Sequence, residues 1–207
     1  MILIALCRLG EPSLSQGYGP QIENERLFFF PLAFRPFEWD EWYFALYLAE
    51  ALWALGCACF LLLNKKKRAA GQETLMALIL YCAAQIVFES LRRDITAKWL
   101  FVRVSQLLSV VALGLTLLVC MLLRRRFRVG RFLLFLVFTG GCVALEFALD
   151  KPLMLGDRAI YFANWLVYVL EILCAAAMGI LTWRTVIGER FRSGNSPFPD
   201  GATPRAK

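Results

Sequence analysis

The sequence contains no histidine. That excludes a histidine-based catalytic triad within this chain, and with it a zinc site built on histidine. Charge is also scarce: 19% of the residues are charged and 59% are hydrophobic. A soluble domain of 207 residues with so few polar groups could not cover its own surface. Ten-residue segments of alternating polarity are missing, which argues against a membrane β-barrel. A disulfide framework is missing as well. Of the seven cysteines, Cys57, Cys59, Cys82, Cys120, Cys142 and Cys174 fall inside apolar runs, where cysteine acts as a small hydrophobe. Cys57 and Cys59, two apart, point to different sides of a helix. No internal repeat is visible.

What remains is a set of long apolar runs, and these predict an all-α, polytopic transmembrane helical bundle of about five spans. The spans are expected at Tyr43–Leu63, Thr74–Leu91, Phe101–Leu123, Phe132–Leu149 and Ile160–Trp183. Basic clusters follow the first span (NKKKR), join the third to the fourth (RRRFRVGR) and follow the fifth (RTVIGERFR). With five spans all three lie on one side, which the positive-inside rule makes cytoplasmic. The C-terminus is then cytoplasmic, and segment 1–42, with six acidic and three basic residues, faces outward. Arg92, Arg93 and Lys98 run against this rule by placing positive charge in an outer loop. The opening MILIALCRLG is apolar but too short to span, and it reads as the end of a helix. The aromatic-rich stretch before the first span suits a membrane interface. The expected division is an outer-face segment 1–42, a helical unit 43–125, two further spans within 126–192, and a polar, disordered tail 193–207.

Several polar residues interrupt the apolar runs. An ionisable group at mid-bilayer costs roughly 2.5–3.5 kcal/mol on insertion scales, so such groups usually face a bundle interior or a watery cavity. On the second span Tyr81, Gln85, Glu89 and Arg92 are spaced four, four and three, which places them on one stripe. The spacing also lets Arg92 pair with Glu89. Arg103, Gln106 and Ser109 begin the third span at the same level, Glu146 lies near the end of the fourth, and Glu50 lies about two turns into the first. Depth therefore gathers one polar region at the outer leaflet. Its arginines suit a phosphate, because a planar guanidinium can donate two hydrogen bonds at once. The plainer alternative is that Arg92, Arg93, Lys98 and Arg103 snorkel at the interface, and that Glu50, Glu146 and Glu171 tie helices together. TGGC at 139–142 reads as a small-residue packing patch.

These residues carry a resemblance. CRLGEPSLSQGYG, residues 7–19, resembles the signature G-R-x-G-N-F-x-N-x-E-x-x-G of bacterial prolipoprotein diacylglyceryl transferases, with Arg8, Gly10 and Gly19 in register. YLAEAL keeps Glu50, Ala51 and Leu52 of a Gln-Leu-Tyr-Glu-Ala-Leu pattern, and Gly71-Gln72 ends the basic loop as in that family. YCAAQIVFESLR keeps Tyr81, Glu89 and Arg92 of Y-G-x-x-R-F-x-x-E-F-x-R, and SQLLS resembles G-Q-I-L-S through Gln106 and Ser109. The likeness runs over about residues 5 to 125, the C-terminal half of the family. Glu11 stands in place of Asn, Pro12 of Phe, Gln16 of Glu and Gln85 of Arg. The two last spans extend beyond the family's usual end.

The resemblance implies transfer of the diacylglyceryl group of phosphatidylglycerol to the thiol of a lipobox cysteine, at the outer face of a bacterial cytoplasmic membrane. It implies no cofactor, no metal and no nucleic-acid partner. Arg8 and Arg92 would hold the phosphate, Glu89 would orient an arginine or act in proton transfer, and Gly19 would permit a close backbone approach. Arg8, Glu89 and Gln16 are thus the catalytic candidates. Gly10, Glu11, Tyr18, Gly19, Glu50, Tyr81, Gln85, Arg92, Arg103 and Gln106 are the candidates for substrate binding. The alternative is a non-catalytic relative that binds phospholipid or a membrane partner.

Overall fold

A computed structural model of the protein describes residues 1–14, 16–22, 24–29, 31–35, 41–63, 71–93, 98–99, 102–123, 129–150, 153–155, 158–160 and 164–187. The basic residues 64–68, 124–128 and 188–192 and the tail 193–207 lie outside the described residues. Among the described residues the chain forms six α-helices: α1 Ile2–Gly10, α2 Leu46–Leu63, α3 Gln72–Leu91, α4 Val104–Leu123, α5 Val129–Asp150 and α6 Asn164–Ile187. The last five are long and apolar enough to cross a membrane. The protein is an all-α, polytopic, multi-pass membrane bundle.

Each helix starts and stops for a local reason. α2 holds no proline and Glu50 as its one charge, so nothing interrupts its hydrogen-bond ladder. α3 begins after Gly71, whose φ of 80° is a left-handed conformation that favours glycine. The first, third and fifth spans begin later than the apolar runs suggest, because short antiparallel pairings precede them. β2 (Tyr43–Phe44) pairs with β1 (Ala33–Phe34), and β4 (Val102–Arg103) pairs with β3 (Lys98–Trp99). β6 (Arg158–Ile160) pairs with β5 (Leu153–Leu155) ahead of α6. Tyr43 and Phe44 are as apolar as the helix that follows, so the apolar run alone does not separate them.

The main core lies between α3, α4, α5 and α6, around Ile79, Ile86, Leu113, Leu117, Phe135 and Met178. Small residues let these helices approach: a Cβ on Gly179 of α6 would lie 3.1 Å from Ala83 of α3, and one on Gly114 of α4 would lie 3.3 Å from Phe135 of α5. In the TGGC patch, Gly141 faces Cys174 across α5 and α6, whereas Gly140 has nothing within 4 Å of its Cβ position. A second, smaller core joins α1 to α2 through Ala5, Ala51 and Ala54. α5 is the most peripheral span, with 11% of its apolar window buried against 39% for α2, α3 and α4. Its outward Leu133, Leu136, Val137 and Phe147 are a lipid-facing surface.

This packing brings the start of α2, the end of α3, the start of α4, the end of α5 and the start of α6 to one end of the bundle. The short β pairings and segment 16–22 lie at that end too.

Candidate functional site

Arg92 closes α3. Its N–H still reaches Phe88 O at 3.1 Å, but its backbone is already extended, with φ −64° and ψ 142°. Having left the helix, its side chain crosses to α2. The guanidinium donates from Nε to Glu50 Oε1 at 2.9 Å and from Nη2 to Glu50 Oε2 at 3.2 Å. Nη2 also donates to Glu11 Oε2 at 2.7 Å. Glu89 is 3.9 Å away. The pairing of Arg92 with Glu89 expected from their spacing is thus present as an ion pair, but Glu50 and Glu11 are the closer, hydrogen-bonded partners.

Arg8, from the last turn of α1, reaches the same carboxylates. Its Nε lies 2.6 Å from Glu50 Oε2, and its Nη1 contacts Glu11 Oε1. The side chains are well shielded, at 3% exposure for Glu50, 6% for Arg92, 14% for Glu11 and 15% for Arg8. Burial disfavours charge on both guanidiniums, but Glu50 and Glu11 outweigh it and hold Arg8 and Arg92 above the ordinary arginine range. Arg92 and Arg103 are buried and do not snorkel. Arg93 is exposed, and its Nη2 donates to Tyr168 Oη at 3.1 Å.

Glycine makes the cluster possible at Gly17, a position that sequence reasoning missed. Its φ is +80°, and a Cβ there would lie 2.6 Å from Glu11 Oε2 and 2.7 Å from Tyr47 Cβ. Its carbonyl accepts from Tyr47 N at 2.8 Å. The Gly-Tyr-Gly sequence was the available signal, but only the approach of Glu11 and Tyr47 shows which glycine is constrained. Gly19 does make a close backbone approach, and its neighbour here is Phe44: a Cβ would lie 3.0 Å from Phe44 Cβ. Tyr18 is buried against Tyr43, and its carbonyl accepts from Arg93 N at 3.1 Å.

The polar stripe on α3 continues the network. Gln85 Nε2 donates to Glu89 Oε1 at 2.7 Å. Glu89 Oε2 has no hydrogen-bond partner among the described residues, and Arg103 Nη1 lies 3.9 Å from it. Arg103 Nη2 donates to Arg92 O, and its backbone N–H donates to Gln106 Oε1 at 3.2 Å. Gln106 Nε2 then faces a second polar group, at 3.1 Å from Ile86 O, 2.6 Å from Glu146 Oε1 and 3.4 Å from Glu171 Oε1. Glu171 is wholly buried, with Oε2 lacking a hydrogen-bond partner among the described residues. A small cavity of about 40 Å³ lies between Gln106, Thr139, Cys142, Glu146 and Glu171. Glu146 and Glu171 thus link α5 and α6 to α4.

The structure brings together Arg8, Glu11, Glu50, Gln85, Glu89, Arg92, Arg103 and Gln106. It does not bring the side chain of Gln16 into this network: Gln16 is exposed, and its backbone N–H donates to Glu11 O at 3.2 Å. Gly10 is exposed at the end of α1, and Tyr81 packs against the apolar core. Ser109 donates to Ser105 O at 2.9 Å within its own helix. At the same end of the bundle runs an apolar groove of about 530 Å³, lined by Ile22, Leu27, Phe44, Leu46, Leu91 and Tyr168. Leu91 precedes Arg92 in sequence and Leu46 lies one turn before Glu50, and neither Arg8 nor Arg92 is among the residues that line the groove.

Fold and site together define a multi-pass membrane protein with a buried, ion-paired polar site at one end of its bundle. The model of the prolipoprotein diacylglyceryl transferase family matches residues 15–124, more than half of the chain. The chain belongs to that family, whose members act as transferases in lipoprotein biosynthesis on lipid and prolipoprotein substrates. The match spans Glu50, Glu89, Arg92, Arg103 and Gln106; Arg8 and Glu11 precede it, and α5 and α6 follow it. No curated protein and no solved structure matches the chain.

Proposed function

We propose that this protein moves the diacylglyceryl group of phosphatidylglycerol onto the thiol of a lipobox cysteine in a prolipoprotein. The observation that carries this reading is the convergence of Arg8 and Arg92, from distant parts of the chain, at the end of the bundle that also holds an apolar groove. In the proposed reaction the thiol sulfur bonds to the glyceryl carbon that carries the phosphate. The carbon–oxygen bond breaks, and glycerol phosphate leaves. Arg8 and Arg92 stabilise the phosphate charge that grows on the leaving oxygen. Acyl chains lie in the groove. The thiol proton goes to Glu89, whose Oε2 is the oxygen in the ionic group without a hydrogen-bond partner among the described residues. Glu50 orients both arginines, and Gln85 and Arg103 position Glu89. In this reading the protein works in a bacterial cytoplasmic membrane, with the site on the outer side, the C-terminus in the cytoplasm, and residues 43–125 as the transferase-like unit.

One observation favours a second reading, a non-catalytic relative that binds phospholipid or a membrane partner. Both arginines already carry carboxylates, and Gln85 stands where the family signature has arginine. Incubating the purified protein with phosphatidylglycerol vesicles and a lipobox peptide separates the two, read by mass spectrometry beside an active transferase. A diacylglyceryl mass gain that disappears in Arg8→Ala and Glu89→Gln supports the enzyme. No gain while the control works, with lipid still bound, supports the second reading.

A further inference from the structure

The phospholipid reading, on which this inference rests, assigns the phosphate to two guanidiniums that are already engaged. Arg92 places Nε on Glu50 and Nη2 on Glu11 and Glu50, while Arg8 places Nε on Glu50 and Nη1 on Glu11. Two guanidiniums and two carboxylates leave this group neutral. An anionic headgroup added to it would bring an uncompensated buried charge, unless one carboxylate withdrew.

The two carboxylates differ in how they are held. Glu50 belongs to a membrane-spanning helix, is 3% exposed, and lies between both arginines. Moving its carboxylate away would take it from both arginines at once. Glu11 begins a short 3-10 turn, Glu11–Leu14, outside the spans, and its side chain is 14% exposed. Gly17 lies against it, and a Cβ there would come 2.6 Å from Glu11 Oε2. A carboxylate and a phosphate present oxygens of the same charge to the same guanidinium edges, so they compete directly.

We propose that Glu11 is a resident competitor for the phosphate: its carboxylate occupies the edges of Arg8 and Arg92 that a phosphate takes, and it swings away when the phosphate binds. Glu11 is then a residue that sets affinity, not a ligand of the substrate. The phosphate could belong to a lipid headgroup or be free in solution, and the same guanidinium edges serve both.

The test is calorimetric titration of the purified full chain in a non-ionic detergent, with dihexanoyl phosphatidylglycerol and with inorganic phosphate. Glu11→Gln keeps the shape of the side chain and removes its charge. It should tighten binding by about tenfold or more, the range of a charge-assisted hydrogen bond. Tightening for the lipid alone assigns the site to a headgroup, and tightening for phosphate alone assigns it to the free ion; both uphold the competitor. Unchanged or weaker binding by Glu11→Gln, with Arg8→Ala still abolishing it, overturns the competitor and leaves the phospholipid reading standing. No binding by the wild type or Glu11→Gln sinks the phospholipid reading itself. Hydrogen exchange on the wild type guards against a variant that fails to fold. Saturating lipid should speed exchange at residues 11–17, and slower or unchanged exchange there counts against the proposal.

Discussion

Two polar groups share one end of this bundle and satisfy their charges in opposite ways. The first draws Arg8, Glu11, Glu50 and Arg92 from α1, the turn after it, α2 and the end of α3, and each carboxylate meets guanidinium. The second joins Glu146 of α5 and Glu171 of α6 to Gln106 of α4, and neither carboxylate meets a basic side chain within 4 Å among the described residues. Arg103 connects the two: its side chain donates to Arg92 O and its backbone N–H donates to Gln106 Oε1. Removing one partner of a buried ion pair strands the other. An amide shared by two carboxylates leaves polar atoms that a neutral side chain could satisfy as well. The first group should therefore be intolerant of change, and the second should not.

The largest effect tests that contrast at its stronger end. Arg92→Ala leaves Glu50, 3% exposed, without its bidentate partner and should destabilise the protein by about 3–5 kcal/mol. Chemical unfolding in detergent measures it. A loss under about 1 kcal/mol would mean that the cluster carries little of the fold's stability. Next comes Gly17→Ala, which combines a positive φ with a Cβ 2.6 Å from Glu11 Oε2. It should cost about 1–3 kcal/mol, and the loss should shrink in a Glu11→Ala background if contact with that side chain is part of the cause. Glu171→Gln should run the other way, at no cost or with a gain of about 1 kcal/mol, because it replaces a buried oxygen that has no partner with an amide that can donate to Glu146. A substantial loss there would erase the difference between the two groups. The smallest effect is a control on packing: Gly56→Ala, with nothing within 4 Å of its Cβ position, should gain about 0.5–1 kcal/mol from helix propensity alone.

The bundle was legible because apolar length is a one-dimensional signal. Five runs became five spans, and Gln85, Glu89 and Arg92 of the α3 stripe proved buried. The shift of the first span's start from Tyr43 to Leu46 was not legible, because Tyr43 and Phe44 are as apolar as a helix but pair with Phe34 and Ala33. The site was legible in part. Glu50, Glu89, Arg92 and Arg103 stood out as charges in greasy surroundings, and the family pattern added Arg8 and Glu11. Which carboxylate each arginine takes was hidden, since Arg92 turns away from its own helix only once that helix ends. The exposed Gln16 shows the opposite limit: a position in a signature register need not place its side chain in the site.

By itself the sequence determined that the chain is a multi-pass membrane protein, where its five long apolar runs lie, and that its polar residues collect toward one end. These follow from hydrophobic length and helical period, which are local properties of the chain. Only the tertiary structure decided that Arg8 and Arg92 share Glu11 and Glu50, that Gly17 makes room for Glu11, and that α5 and α6 reach the site through Gln106. Those contacts join segments far apart in sequence, and they depend on where each helix ends and which faces meet.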